Sequence, residues 1–399
     1  MPRRARSSLV VLGIALTLFL LLRSRGGGGG ERGRAPEPPR SEPPPASTRR
    51  PVTVGTGATA GARPRVERGG VPSAPGVEDN NRAVGLLGEG RTAEAIVLFE
   101  SARAADPDSL LYRRNLAEAR VRLALQDHDE GRVRAALEGL DAALALAPDR
   151  EDLEALAALR ERWRAELDAE ADFVSEGSDL FTLLFDAERS DLLHDSQTVL
   201  DHLETAYERL RGWFGRDPVR EGLRGPIRVV LQEADDFHRV TGLGDWAGGA
   251  FDGTVRVAVG DLGREGARWR RTASHELVHA FLDALAGPSV PGWLAEGLAQ
   301  LLADPDPSPA LERADHVLGE AFFPLDRLGA SFAGWSDPKE VRRAYAESLL
   351  LTAALRREYG DDVLRRMAVG CADGRSPSET FEELTSVPLE LVVDGVRTR

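Results

Sequence analysis

Residues 268–302 read RWRRTASHELVHAFLDALAGPSVPGWLAEGLAQLL. Apolar residues at helical spacing over 268–286 predict one helix, and Gly287 and Pro288 end it. A second helix is predicted for 293–302, directly after the Gly/Pro turn. The C-terminal half of the chain is therefore expected to contain two consecutive helices joined by a short turn.

The first of these helices contains an H-E-x-x-H motif, His275-Glu276-Leu277-Val278-His279. Residues four apart lie on one face of a helix, with Cβ atoms about 5–6 Å apart, so two imidazoles can reach one metal ion. Glu276 lies about 100° further round the helix, where its carboxylate can take a proton from water and pass it to a leaving amine. Imidazole and carboxylate suit zinc, and a catalytic zinc has three protein ligands and one open position. The motif therefore predicts zinc binding by His275 and His279, with Glu276 as the general base.

The sequence after the motif resembles that of the gluzincin zinc metallopeptidases. The chain continues with P-G-W-L-A-E-G-L-A at 291–299, and gluzincins carry their third ligand, a Glu on the next helix, in such a setting. The resemblance covers about 171–399, is closest to peptidase-MA-like domains, and implies an α+β zincin-like fold with Glu296 as the third metal ligand. The metzincin pattern needs Gly and His three and six residues after the second ligand, and Leu282 and Leu285 exclude it.

Residues 247–259, upstream of the motif, are Gly-rich at first and then alternate, which predicts a hairpin or a bulged edge strand. In gluzincins an edge strand before the zinc helix binds the extended substrate. The resemblance therefore implies substrate binding by Gly249, Ala250 and Phe251, and the alternative is an ordinary structural hairpin. Periodicity predicts further elements of this α+β unit: strands at 180–186 and 226–232, and helices at 195–214, 235–240, 339–359, 361–367 and 378–384.

Tyr345 lies in the string RAYAES at 343–348, whose A-Y-x-x-S pattern resembles a gluzincin region that supplies a catalytic Tyr or His. By that resemblance the Tyr345 hydroxyl stabilises the oxyanion of the tetrahedral intermediate, which would make Tyr345 catalytic. The alternative is an aromatic side chain packed against the zinc helix. Many gluzincins have an acidic residue four positions after the ligand Glu, whereas this chain has Gln300. Either Gln300 accepts a hydrogen bond from a ligand imidazole, or another group does so.

The region from 78 to 170 has the composition and periodicity of packed helices, rich in Ala and Leu. Residues 90–107 have the turn Gly, small, aromatic and terminating Pro residues of a tetratricopeptide repeat, and residues 136–148 repeat the last of these offsets. The two prolines, Pro107 and Pro148, are 41 residues apart instead of the usual 34, which indicates an insertion. An all-α, tetratricopeptide-like domain is predicted, and a generic helical hairpin bundle is the alternative.

The N-terminal 25 residues have the layout of an export signal, with three Arg residues before an apolar run from Leu9 to Leu22. No A-x-A cleavage site follows, which favours an uncleaved signal anchor over a cleaved signal peptide. Residues 26–77 are dominated by Gly, Pro, Ser, Thr and Arg, which predicts a disordered linker. The sequence therefore predicts a location in the cell envelope, membrane-anchored with an extracytoplasmic catalytic domain, or secretion.

Charge is distributed unevenly along the 399 residues. The first 70 residues contain thirteen Arg and four acidic residues, whereas the whole chain has a formal net charge of −14. An acidic body disfavours nucleic acid as a partner, because phosphate binding needs a basic face. Cys371 is the single cysteine, so the chain cannot form an intrachain disulfide.

These observations predict an exported zinc metallopeptidase that hydrolyses peptide bonds in a peptide or protein substrate. The domain boundaries are 1–25, 26–77, 78–170 for the helical repeats and 171–399 for the gluzincin domain. The repeats are expected to recruit substrate or a protein partner, and the N-terminal segment to contact the membrane. One alternative is a non-catalytic interaction protein with a relic zinc-binding domain, and another is a zinc site that acts on a non-peptide bond.

Overall fold

The computed structural model describes residues 75–149, 152–244, 247–260, 262, 266–317, 322–332, 335 and 337–397. The export signal predicted at 1–25 and nearly all of the predicted linker lie outside these residues. Within the described part of the chain, none of the helices has the length and apolar content needed to cross a bilayer.

The N-terminal part of the described chain is helical, and each of its helices packs on the next. Small side chains at the helix contacts, among them Ala95, Ala102 and Ala136, are fully buried and allow the helix axes to approach closely. Phe99 and Trp163 fill the larger spaces between helices. The bounds of the helices are α1 Val77–Gly88, α2 Thr92–Ala105, α3 Leu110–Asp129, α4 Val133–Leu146 and α5 Leu153–Ala169. These five helices are called the helical unit below.

The rest of the described chain combines helices with one five-stranded sheet, and is therefore α+β. The helices are α6 Ser190–Phe214, α7 Ala234–Thr241, α8 Gly266–Ala286, α9 Gly292–Ala303, α10 Ser308–Val317, α11 Pro338–Tyr359, α12 Asp361–Val369, α13 Pro377–Thr385 and α14 Leu389–Arg397. The strands are β1 Phe173–Gly177, β2 Phe181–Asp186, β3 Ile227–Gln232, β4 Gly249–Phe251 and β5 Val255–Ala258.

The sheet has the strand order β1-β2-β3-β5-β4. Its central strands β2, β3 and β5 are parallel, while β1 and β4 pair antiparallel with β2 and β5 at the two edges. In the β4–β5 hairpin, Gly249 lies opposite Val257 and Phe251 opposite Val255. The short strand β4 is therefore an edge strand, and it belongs to the hairpin that the sequence predicts.

The two faces of the sheet are covered differently. Alternating apolar residues, such as Phe181, Val229 and Val257, belong to the large core that also contains α6 and α8. The opposite face carries Arg228 and Arg256, and their ion pairs with α5 bring the helical unit against this face. The charged side chains of this contact are called the ionic cluster below: Arg162, Glu166, Glu170, Arg228, Asp252 and Arg256.

The predicted strands at 180–186 and 226–232 are confirmed to within one residue at their ends. The helix predicted at 195–214 starts five residues earlier, at Ser190. The edge strand β1 was not predicted because its residues FVSEG lack the alternation of apolar and polar residues that indicates a strand, and most of them are exposed. Helices α10 and α14 were not predicted either.

Candidate metal centre

The candidate site forms where α8 and α9 meet. His275 and His279, one turn apart on α8, direct their rings to the same side, and their Nε2 atoms are 3.3 Å apart. Glu296 projects from α9, and its Oε2 atom lies 3.3 Å from His275 Nε2 and 3.5 Å from His279 Nε2. Within the described residues, these three form one group that could hold a metal ion. They are called the metal cluster below.

Two consecutive helices produce this convergence because the turn between them is short. A single 3₁₀ turn, Gly287–Ser289, separates α8 from the segment that leads into α9. The apolar faces of both helices are buried in the same core, with Leu277, Phe281 and Leu298 fully covered. The packing of these faces fixes the angle between the helices and thereby brings Glu296 to the two imidazoles.

The metal cluster is partly shielded from solvent, with each side chain 17–18% exposed. Burial disfavours a charge on His279, but the neighbouring carboxylate of Glu296 outweighs it and raises the pKa of His279 to about 9. Burial alone would raise the pKa of Glu296, yet the two imidazoles hold this pKa well below its usual range. The site therefore favours a cation next to an ionised carboxylate.

The distances within the metal cluster agree with the ligand spacing of a tetrahedral zinc site. Ligand atoms about 2.0–2.2 Å from a tetrahedral zinc ion are about 3.3–3.6 Å apart. The three observed separations, 3.3, 3.3 and 3.5 Å, fall in this range. Glu296 Oε2 is also buried without a well-directed hydrogen bond among the described residues. Two imidazole nitrogens and one carboxylate oxygen are a donor set that suits zinc, so these residues fit the ion.

Glu276 lies beside the metal cluster and is almost completely buried. Burial raises the pKa of its carboxyl, and the nearby imidazoles of His275 and His279 oppose this increase. The strand β4 covers Glu276 closely: a Cβ atom on Gly249 would be 2.6 Å from Glu276 Oε1 and 2.5 Å from Thr272 Cγ2. Only glycine allows this approach, so β4 and the carboxylate of Glu276 are in direct contact.

Tyr345 reaches the site from α11. Its hydroxyl forms a hydrogen bond with Glu296, and burial together with the negative charge of Glu296 raises the pKa of Tyr345 well above its usual value. The Tyr345 ring also packs edge-on against Phe332, with 5.5 Å between the centroids. The structure therefore brings Tyr345 to the metal cluster, and the same ring also packs on a neighbouring aromatic residue.

Gln300 connects the two helices that carry Glu296 and Tyr345. Its Nε2 donates to the backbone carbonyl of Tyr345 at 2.8 Å and to that of Glu296 at 3.2 Å. The side-chain amide thus ties α9 to α11. Neither of the two roles considered from the sequence for Gln300 included this link between helices. These two bonds use the amide nitrogen, and the two alternatives given for the side-chain oxygen of Gln300 stay predictions.

The remaining predicted residues, Gly249, Ala250 and Phe251, form β4 at the edge of the sheet. Sequence analysis did not single out Asp252, which follows β4 and contacts the helical unit; the turn dipeptide Asp252-Gly253 was the available signal.

No protein-family model matches the chain, and a search of curated proteins finds no match.

Proposed function

We propose that this chain is a zinc-dependent hydrolase of peptide bonds with a gluzincin-type site in a zincin-like α+β domain. The observation that carries the proposal is the convergence of His275, His279 and Glu296 at tetrahedral ligand spacing, with Glu276 buried next to them. Zinc would be held by the metal cluster, and when bound it supplies a Lewis acid that polarises a carbonyl and lowers the pKa of water.

Glu276 is the group that moves the proton. Its raised pKa brings the carboxyl closer to the pH at which proton transfer to and from water is efficient. As an ionised carboxylate it accepts a proton from the attacking water, and as a carboxylic acid it donates that proton to the leaving amine. Its burial beneath β4 limits competition from bulk water.

Tyr345 is the proposed donor for the oxyanion. A hydroxyl with a pKa well above its usual value remains protonated at neutral pH, so it can donate a hydrogen bond to a developing negative charge. In the present structure this donor contacts Glu296, which places it at the edge of the metal cluster. Tyr345→Phe is expected to reduce kcat by about 10²-fold while zinc content stays unchanged.

The proposed substrate is an extended peptide or protein segment that adds to the free edge of the sheet at β4. An edge strand offers backbone N–H and C=O groups to a peptide, and Gly249 at this edge contacts the proposed general base. A peptide bound along Gly249, Ala250 and Phe251 would therefore pass close to Glu276.

The decisive experiment combines metal analysis with a peptide-library digest of the parent protein and Glu276→Gln. We expect one zinc ion in both proteins and loss of cleavage by about 10²–10⁴-fold in the variant, because the amide cannot accept the proton. Zinc binding without cleavage by the parent would support a relic zinc-binding domain in an interaction protein. Equal cleavage by both proteins, or no zinc in the parent, would refute the proposed mechanism.

We also propose that the protein is exported and tethered by its N-terminal segment, with tetratricopeptide-like repeats ahead of the catalytic domain that bind a peptide or protein partner. The support is the Arg-flanked apolar run from Leu9 to Leu22 in the sequence. Leu16→Arg together with Leu18→Arg should release the full-length protein from the membrane fraction, because charges in the apolar run oppose insertion. Equal membrane recovery of variant and parent would contradict the tether.

A further inference from the structure

The turn between β4 and β5 is held by the helical unit. Asp252 Oδ2 lies 3.4 Å from a guanidinium nitrogen of Arg162 on α5. Asp129, at the end of α3, approaches the same turn so closely that a Cβ on Gly253 would be 2.5 Å from its Oδ1. Gly253 has a φ of 102°, a conformation that favours glycine. Two helices of the helical unit therefore contact a three-residue turn of the catalytic domain.

Close to the turn, the same hairpin is fixed by Arg256, which lies opposite Ala250 and is completely buried. Its guanidinium lies 2.6 Å from Glu166 on α5 and 2.8 Å from Glu170, which directly follows α5, although the contact with Glu166 lacks hydrogen-bond geometry. Arg256 Nε also lies 3.4 Å from Asp252 Oδ2. Asp252 is therefore held between an Arg of the helical unit and an Arg of β5.

The β4–β5 hairpin connects the contact between Asp252 and Arg162 to Glu276 at the candidate metal centre, and the connecting strand is short. Strand β4 has only three residues, with Gly249 against Glu276 at one end and Asp252 immediately after the other end. A displacement of Asp252 therefore acts on Gly249 through only two intervening residues of the same extended strand. The position of the turn must therefore affect the position of β4 relative to Glu276.

We propose that the helical unit positions the substrate-binding strand β4, and that Arg162 and Asp252 are the positioning residues. This inference rests on the proposed peptidase function and deepens it. The helical unit is then an integral part of the substrate-binding site, in addition to any partner that its surface binds. The substrates concerned are peptides long enough to extend along β4.

The experiment compares Arg162→Gln with Arg164→Gln in the full-length protein. Both residues belong to α5, but Arg164 is 48% exposed and pairs with the surface residue Glu161, so it is the matched control. Hydrogen exchange of the hairpin 248–258 is measured first, because it does not depend on activity. Exchange should be about tenfold faster in Arg162→Gln and unchanged in the control, since the turn loses a charge-assisted contact. Equal exchange in both variants would overturn the proposal.

Kinetics with zinc-loaded protein provide the second measurement. For peptides of about eight residues, KM should increase about tenfold in Arg162→Gln, with kcat and zinc content unchanged. A dipeptide should show no change in KM, because it is shorter than the three-residue strand β4 and cannot pair along its whole length. A decrease in kcat with an unchanged KM would show that the contact does not act through β4 and would overturn the proposal.

Asp252→Asn is the second variant, in case loss of Arg162 affects folding. The amide oxygen can still accept from Thr254 N within the turn, whereas the charge that faces Arg162 is lost. The same increases in exchange and KM are expected, and normal values would overturn the proposal. A parent protein without zinc or cleavage would refute the proposed function, while exchange of the hairpin would still decide whether the helical unit holds the turn.

Discussion

Two groups of polar side chains, one mostly buried and one partly exposed, lie on opposite faces of one small sheet, and their charges are organised differently. In the ionic cluster, Arg256 and Arg228 each contact both Glu166 and Glu170, so positive and negative charges alternate. In the metal cluster, three groups with lone pairs converge on one point. In the ionic cluster, the positive and negative charges are both supplied by side chains of the chain itself. In the metal cluster, the lone pairs of the three side chains point to one position, which suits a cation.

The pKa values of two buried carboxyl groups, Glu166 in the ionic cluster and Glu276 beside the metal cluster, are shifted in opposite directions. Burial would raise the pKa of Glu166, but the charges of Arg256 and His128 outweigh it and hold this pKa well below its usual range. The pKa of Glu276, beside the metal cluster, is raised by burial because fewer positive charges face it. A carboxyl with a low pKa is a permanent ion-pair partner, whereas a carboxyl with a raised pKa can exchange protons.

The largest expected effect concerns the ionic cluster. Arg256→Met should lower the free energy of unfolding by about 3–5 kcal/mol, because it leaves buried carboxylates of Glu166 and Glu170 with one Arg fewer. Urea denaturation provides the measurement. Arg164→Gln, on the exposed side of α5, should change the free energy by less than about 0.5 kcal/mol. Similar stabilities for the two variants would show that the ionic cluster does not hold the two parts of the chain together.

The second effect concerns the metal cluster and depends on the ion. Zinc at a free concentration one hundred times its Kd should add about 2.7 kcal/mol to the free energy of unfolding of the parent. Glu296→Gln should abolish most of this gain, whereas Glu276→Gln should retain it because Glu276 is not a ligand. Thermal denaturation with zinc and with a chelator distinguishes these cases. An equal gain in Glu296→Gln would place the zinc elsewhere.

The sequence predicted the metal cluster far better than the ionic cluster, and the reason is the range of the contacts. The spacing of His275 and His279 is local, and Glu296 follows within seventeen residues on the next helix. The partners of Arg256, Glu166 on α5 and Glu170 directly after it, are separated from it by more than eighty residues. Alternation in β5 indicates only that Arg256 lies on the polar face, and a polar face is usually exposed to solvent. The pattern therefore gave no indication that helices cover it.

Tyr345 illustrates an intermediate case. Its sequence string suggested a role at the site only through family resemblance, because it lies 49 residues after Glu296. The structure brings the two side chains into contact by packing α11 on α9 and by the bridge from Gln300. Such a contact depends on how helices pack in three dimensions, and helical periodicity alone does not determine it.

The third effect tests the contact between β4 and Glu276. Gly249→Ala would place a methyl group about 2.6 Å from Glu276 Oε1, so the carboxylate must move. We expect kcat to decrease by about 10–100-fold with zinc content unchanged, because Glu276 is not a ligand. Gly248→Ala is the control, since its methyl group would meet Thr272 Oγ1 at 3.7 Å and a guanidinium nitrogen of Arg268 at 3.9 Å, which are ordinary contact distances. Equal activity of both variants would show that Glu276 tolerates displacement.

The smallest effect is the pH dependence of zinc binding. The pKa of His279 in the metal-free protein is about 9, above the ordinary value of 6.5, so His279 carries a proton at neutral pH. Zinc must displace this proton, and its apparent affinity should therefore fall about tenfold per unit as the pH decreases from about 8 to about 7. Competition with a chelator of known affinity at several pH values measures this slope.

The metal-free protein should show the opposite dependence in its stability. A pKa that is raised in the folded state stabilises the protein fully below about pH 6.5, and this contribution is lost as the pH rises through about 9. As the pH rises through this interval, the affinity for zinc increases, whereas the free energy of unfolding of the metal-free protein decreases. This opposition arises because proton and zinc compete for the same imidazole next to Glu296. A zinc affinity that does not change with pH would show that His279 is unprotonated before the ion binds, and would contradict the charge balance inferred for the metal cluster.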